Sequence, residues 1–338
     1  MSNQSFLTLN SPSIEQRVGI YLVPKVLANA QPWLVLEKFA MVTELPKNKG
    51  ENLKWLRPVP FDVNITTLVE GVTPPPENFQ TEIVEDTVEE YGAVVNFSDK
   101  VADLHEDPIA QMIVREMAKQ MANTKELIAW NTVRGGTSVI YSGTATSRVT
   151  VDTPLDIDQI RAATALLKAN HGDKLTQRVA ASDGFSTEPV APSYVAVGST
   201  YLEGDVRDLD GFLPLEKYGN GGKGISEYEI GKVDEFRILL TPELTPFYGA
   251  GAAIASLDVL SRDAVAVDVF PLVCMAKEAW GVTPLKGMNA ATVHLENPKP
   301  QRGDELGQRG FASWKMYYCA TRLNESWMVR IETAATEY

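Results

Sequence analysis

Residues 107–136 read DPIAQMIVREMAKQMANTKELIAWNTVRGG. Ile109, Ile113, Met117 and Met121 recur every fourth position, and Met112, Val114, Ala118, Leu127 and Ile128 widen that stripe. This is the period of a helix with one buried face. Asp107 suits the N-cap and Pro108 the first turn, while Gly135 offers a left-handed stop. The spacing predicts a helix over 107–134, about 40 Å long at 1.5 Å per residue. The methionines read as core packing, not as an adaptable binding groove.

Upstream of this helix the chain changes character. Residues 13–30 suggest a short amphipathic helix broken at Pro24, and PWLVLEKFAMV within 31–44 reads as a strand. From 45 to 97 prolines stand at 46, 58, 60, 74, 75 and 76. Between them lie LKWLRPVPFDV and TTLVEGVTPPP, then TEIVEDTVEEYGAVVNF over 81–97. Proline removes ladder donors, and Glu82, Glu85, Asp86, Glu89 and Glu90 resist burial. The segment reads as a long, partly β, solvent-facing excursion, and long excursions usually carry function.

Downstream, PLDIDQIRAATALLKAN (154–170) is a second helix whose apolar face is Ile157, Ile160, Ala163, Leu166 and Leu167. Strands are expected at 191–200, as a pair within 227–244 around Gly231, and within 263–282, with a short polar helix near 200–209. Residues 311–335 alternate Trp314, Met316, Tyr318 and Ala320 with Lys315, Tyr317, Cys319 and Thr321. With LNES as the turn, they predict a C-terminal hairpin. Helices and strands fall in blocks without βαβ alternation, so the class is α+β.

The 338 residues carry a formal net charge of −13 and no run of Lys and Arg. An acidic chain of this kind does not gain affinity by neutralising phosphates. The scattered cations of 45–58 read as a solvated segment. Cys274 and Cys319 are too few for a disulfide framework and read as reduced core thiols. The start carries no signal-peptide pattern, and no apolar run is long enough to span a membrane, which suggests a cytoplasmic origin.

Gly219, Gly221 and Gly224 spell G-x-G-x-x-G within EKYGNGGKGISEY (216–228), the one candidate for a nucleotide-binding enzyme. A dinucleotide loop needs a strand before it and a helix after it. Here a broken polar stretch precedes and a strand-like alternation follows. The reading is a flexible loop built on Gly219, Gly221, Gly222 and Gly224. DVRDLDG (205–211) fails the calcium-loop frame at Val206 and Lys217, leaving Asp208 and Asp210 as turn formers. His105, His171 and His294 are dispersed. No cofactor, metal site or catalytic residue is expected.

The order of elements, and the segments TTLVEGVTPPP, EYGAVVNFSDKV (90–101), MAKQMANTKELIAWNTVRGGT (117–137), EIGKVDEFRILLTPEL (229–244) and ASWKMYYCATRLNESWMVRIETAA (312–335), resemble the major capsid proteins of tailed bacteriophages with the HK97-like fold, in detail those of the N4-type family. The resemblance implies an N-arm at 1–30 and an extended E-loop at 45–97. It implies a P-domain from 31–44 and 98–150 around a long spine helix, and an A-domain mainly over 151–310. The hairpin of 311–338 would close the A/P body. It further implies self-assembly into pentamers and hexamers of an icosahedral virion head enclosing dsDNA without reading its sequence. Scaffolding, portal and possibly decoration proteins would be partners, with assembly in the host cytoplasm. Some relatives begin with a scaffolding segment, and the lack of one here implies a separate scaffold or self-sufficient assembly. A cellular nanocompartment shell of the same fold is the structural alternative. Contacts between subunits are expected from Lys47, Lys49, Lys54, Trp55 and Arg57 on the outgoing strand. Glu82, Glu85, Glu89 and Glu90 are expected to serve on the return strand, and the glycine loop would flex in the A-domain.

Overall fold

The computed structural model describes residues 34–48, 50–65, 67–68, 70–71, 73, 76–104, 109–180, 186–218, 224–254, 258–285, 291–300 and 303–337. The helix expected at 13–30, and the Asp107–Pro108 start of the long helix, lie outside them. In chain order the elements are β1 (Met41–Val42), β2 (Asn52–Pro58), β3 (Thr81–Thr87), β4 (Glu89–Ser98), α1 (Asp99–Leu104) and α2 (Ile109–Val133). Then come β5 (Val139–Tyr141), α3 (Ile157–Ala169), β6 (Leu175–Ala180), β7 (Ser186–Ser199), α4 (Glu203–Arg207) and β8 (Leu213–Pro214). The chain ends with β9 (Glu229–Val233), β10 (Phe236–Thr241), β11 (Phe270–Met275), β12 (Trp280–Pro284), β13 (Ala291–Glu296), β14 (Arg309–Arg322) and β15 (Met328–Thr333).

Among the described residues the strands form two large sheets and one two-stranded ribbon. The first sheet runs β1-β12-β14-β13, with β4 on the opposite edge of β14. Helix α2 covers one face of it. Met117, Ala312, Trp314 and Met316 form the contact, supported by Ile113, Val114 and Met121. Trp314 Nε1 donates to Gln120 Oε1 at 2.9 Å, so the large ring meets its polar need without leaving the core. Of the predicted stripe, Leu127 and Ala118 face solvent instead. The second sheet runs β5-β15-β11-β7-β10-β9-β8, with β6 on β7, and α3 packs on it through Ile160, Ala163 and Leu167. Leu166, expected in that face, is exposed, and Thr164 is buried in the helix instead. A shared cluster including Trp130, Val133, Val273, Trp280, Tyr318 and Met328 joins the two sheets into one body.

Four local expectations are corrected. Residues 36–39 form a 3₁₀ turn, and only Met41–Val42 is strand within 31–44. Gly135 does not adopt a left-handed conformation. The helix end tightens instead, with Gly135 N donating to Thr132 O at 3.3 Å. The turn between β9 and β10 is at Asp234, whose φ is 51°, not at Gly231. The C-terminal hairpin does not form. Leu323 and Asn324 N–H both donate to Ala279 O, and the chain crosses to the second sheet, where β15 pairs with β11 and β5. Alternation identifies the buried face of a strand but not its partner, and both sheets contribute to one core here.

Candidate functional site

Strands β2 and β3 pair antiparallel from Asn52↔Thr87 to Pro58↔Thr81 as a ribbon separate from both large sheets, the arm. Because side chains alternate across a ribbon, each face carries one apolar pair beside one ion pair. On one face Leu56 opposes Ile83, and Lys54 Nζ lies 2.5 Å from Glu85 Oε1. On the other Trp55 opposes Val84, and Arg57 pairs with Glu82. Four of the charges expected to meet a neighbour are thus matched within the arm, where they set its register. Their side chains stay open to solvent, Arg57 least at 42%, so each pair contributes at most about 1 kcal/mol.

Beyond the paired strands, Phe61, Val63, Ile65, Leu68 and Phe79 are exposed, with Val63 and Ile65 each at 88%. A two-stranded ribbon with no sheet or helix behind it is marginal in water. Open apolar side chains in such number are unusual on the surface of a monomer.

The root of the arm is built differently. Val88, Leu45 and Cys319 are buried together, with Leu53 and Tyr317 against them. Thr321 Oγ1 donates to Asp86 Oδ2 at 2.5 Å, and Thr87 Oγ1 to Asn52 Oδ1 at 2.9 Å. The arm proper ends at Val88. Glu89 and Glu90, assigned from sequence to the excursion, begin β4, which belongs to the body sheet. Glu89 accepts from Tyr91 Oη at 2.7 Å, and Lys315 sits 2.5 Å from Glu90 and holds its carboxyl below the usual range. Lys47 is exposed in the turn at Asn48, and Lys49 lies outside the described residues.

The glycine stretch is anchored at its far end. Gly219, Gly221 and Gly222 lie outside the described residues. Gly224, expected in the flexible loop, is buried: a Cβ there would stand 2.8 Å from Glu229 Oε2. Buried Glu229 accepts from Ile225 N at 2.5 Å, Tyr218 Oη at 2.9 Å and Arg237 Nη1 at 3.3 Å, clamping both sides of the stretch. Burial and the adjoining Glu229 carboxylate push the Tyr218 phenol up, so it serves as a donor. A 3₁₀ turn (Leu215–Lys217) precedes the stretch and β9 follows it, so the strand-loop-helix setting of a phosphate cradle is not present.

Glu126 carries no local sequence signal. It is buried in α2 and accepts from Val35 N and Leu36 N at 2.9 and 3.0 Å, tying the segment before β1 to the long helix. Cys274 and Cys319 are free and buried. Among the described residues no group of His, Cys, Asp or Glu has a metal-binding arrangement, and no helix is long and apolar enough to cross a membrane.

A family model described as phage capsid protein matches residues 82–331. The major capsid protein of Pseudomonas phage KPP21 is 27% identical over 275 residues, covering 76% of this chain and 69% of that protein. The solved capsid of Ralstonia phage GP4 superposes with a TM-score of 0.68 at 12% identity over 99% of both chains. The cyanophage Pam1 capsid asymmetric unit gives 0.63 at 12% identity over 100% of both. These likenesses establish the HK97-like fold.

Proposed function

The chain belongs to the phage capsid protein family, and from that membership we propose that it is the major shell subunit of a tailed-phage head. One observation carries the reading beyond family: among the described residues the arm leaves Leu56, Ile83 and, beyond its paired strands, Phe61, Val63, Ile65, Leu68 and Phe79 exposed. Burying each on a neighbour contributes about 1.5–3 kcal/mol before the cost of association. Repeated over identical subunits, such a heterologous contact closes into a symmetric shell.

In this reading the E-loop, expected over 45–97, is the arm that ends at Val88, with its paired strands at 52–87. The first sheet with α2 is the P-domain around its spine helix, and the second sheet is mainly the A-domain. Subunits gather as pentamers and hexamers around dsDNA, which an acidic wall holds without adhering to it. Scaffolding, portal and decoration proteins act as partners, assembly occurs in the host cytoplasm, and the chain has no enzymatic role. Membership of the N4-type branch of these capsid proteins belongs to the same proposal.

Deleting 48–80 and rejoining the ends tests this. The wild-type chain forms shells and the deletion variant stays a folded, soluble body. Normal particles from the deletion variant would remove the arm from the account.

A further inference from the structure

Three arginines distant in sequence converge on one phenylalanine. Arg134 follows α2, Arg148 lies in a 3₁₀ turn (Arg148–Thr150), and Arg330 is in β15. Their guanidinium carbons stand 5.1, 3.7 and 5.9 Å from the Phe247 ring centre. One carboxylate, fully buried Glu332, serves the group. Arg148 grips it as a fork, Nε to Oε2 at 2.9 Å and Nη2 to Oε1 at 2.6 Å. Arg330 Nε is 2.7 Å from Glu332 Oε1 but misaligned for a hydrogen bond, and Arg330 also donates to Arg134 O. Among the described residues Arg134 hydrogen-bonds to Thr245, its Nη1 donating to the carbonyl and the hydroxyl at 3.2 Å each.

Among the described residues the cluster is therefore two positive charges in excess. Burial lowers the Arg134 pKa first, and repulsion from Arg148 and Arg330 lowers it further, with no acid opposing. Arg330 is lowered by the same two causes despite Glu332. Arg148 remains 33% exposed, so the group opens to solvent on one side. Cations gathered around an aromatic ring, half-dry and under-neutralised, accept a bidentate carboxylate well.

We propose that this cluster is the socket for a carboxylate from the arm tip of a second copy of the chain. The inference rests on the shell-subunit reading above. Between Val59 and Gln80 the arm contains Asp62, Glu70 and Glu77 and no Lys or Arg. Among the described residues no cation pairs with these three, and they stand exposed among Phe61, Val63, Ile65 and Leu68. An acidic, apolar tip matches a cationic socket floored by Phe247 in both charge and character. A DNA backbone fits less well. It presents successive phosphates to an extended basic track, whereas this is one narrow, partly buried group on a chain of net charge −13.

The test uses full-length protein carrying Arg134→Glu, chosen because Arg134 has no carboxylate partner to strand. The expected result is a folded subunit whose shell yield drops about tenfold or more. Yield returns when Asp62→Lys and Glu70→Lys are added in the same chain. Arg134→Lys supplies a second readout. With carbodiimide, the new amine couples to Asp62, Glu70 or Glu77, and mixed isotope-labelled copies show that the link joins different chains. Normal shells from Arg134→Glu, or coupling confined to one chain, overturns the inference while leaving the shell reading intact. Normal shells that hold less DNA assign the socket to nucleic acid and overturn it likewise. Stabilisation of wild type by inorganic phosphate, lost in Arg134→Gln without any change in assembly, reduces it to a free-anion site. If wild type forms no shells either alone or with its scaffolding partner, the shell reading itself fails.

Discussion

Glu126 gives the sharpest test of how the body is held together. Its carboxylate satisfies two backbone donors, Val35 N and Leu36 N, that are otherwise stranded in the core. Burial, the largest influence, raises its pKa above the ordinary carboxylate range, and the two N–H donors only partly oppose it. Replacing it with Ala orphans both donors at about 1–3 kcal/mol each, so Glu126→Ala should lose about 2–6 kcal/mol. Glu126→Gln keeps an acceptor oxygen and removes the buried charge, so at pH 8 it should match or exceed wild type. The pH dependence has a definite sign. The folded pKa lies above the unfolded one, near 4.3. The stability from protonation is therefore full below that value and lost as pH rises through the folded pKa. Wild type should gain on Glu126→Gln as pH falls from 8 toward 4. Urea unfolding of the three proteins across that range reads this directly. An Ala variant as stable as the Gln variant, or a wild-type–Gln gap that does not move with pH, refutes the reasoning.

Other parts of the structure give independent expectations. Gly224→Ala drives a Cβ to within 2.8 Å of Glu229 and 3.1 Å of Leu215. It should cost about 1–3 kcal/mol and speed chymotryptic cutting near Tyr218. Trp130 is fully buried and donates from Nε1 to Thr245 O at 3.0 Å, so Trp130→Ala should lose about 3–5 kcal/mol in denaturant unfolding. Thr321→Val removes the donor to Asp86 at the root of the arm. It should raise amide exchange in β2 and β3 while leaving α3 unchanged, and equal protection in both proteins would show that the bond does not hold the root.

What the sequence revealed follows from what each signal physically reports. Helix α2 was legible because its four-residue period spans many turns against one sheet. The core face of β14 was legible because Trp314, Met316, Tyr318 and Ala320 alternate without a break, and all are buried. Pairing was not legible: β14 and β15 are adjacent in sequence, yet Ala279 diverts the chain between them into the other sheet. The arm was readable as an excursion from its prolines and acids, but its boundary at Val88 depends on contacts with Leu45 and Cys319 far away in sequence. Glu126 looks like any polar residue on a helix, because its partners lie about 90 positions upstream. The arginine socket is assembled from three separate elements and leaves no local pattern. The glycine stretch misled in one respect. Gly224 is small because a carboxylate occupies the space, not because the backbone there needs freedom.

Electron microscopy of the purified full-length chain shows whether it builds a shell through its arm. Closed shells of uniform size are expected, with residues 52–87 of each subunit lying across a neighbour. A protein that stays monomeric at high concentration, with the arm's apolar side chains still open to solvent, would contradict this.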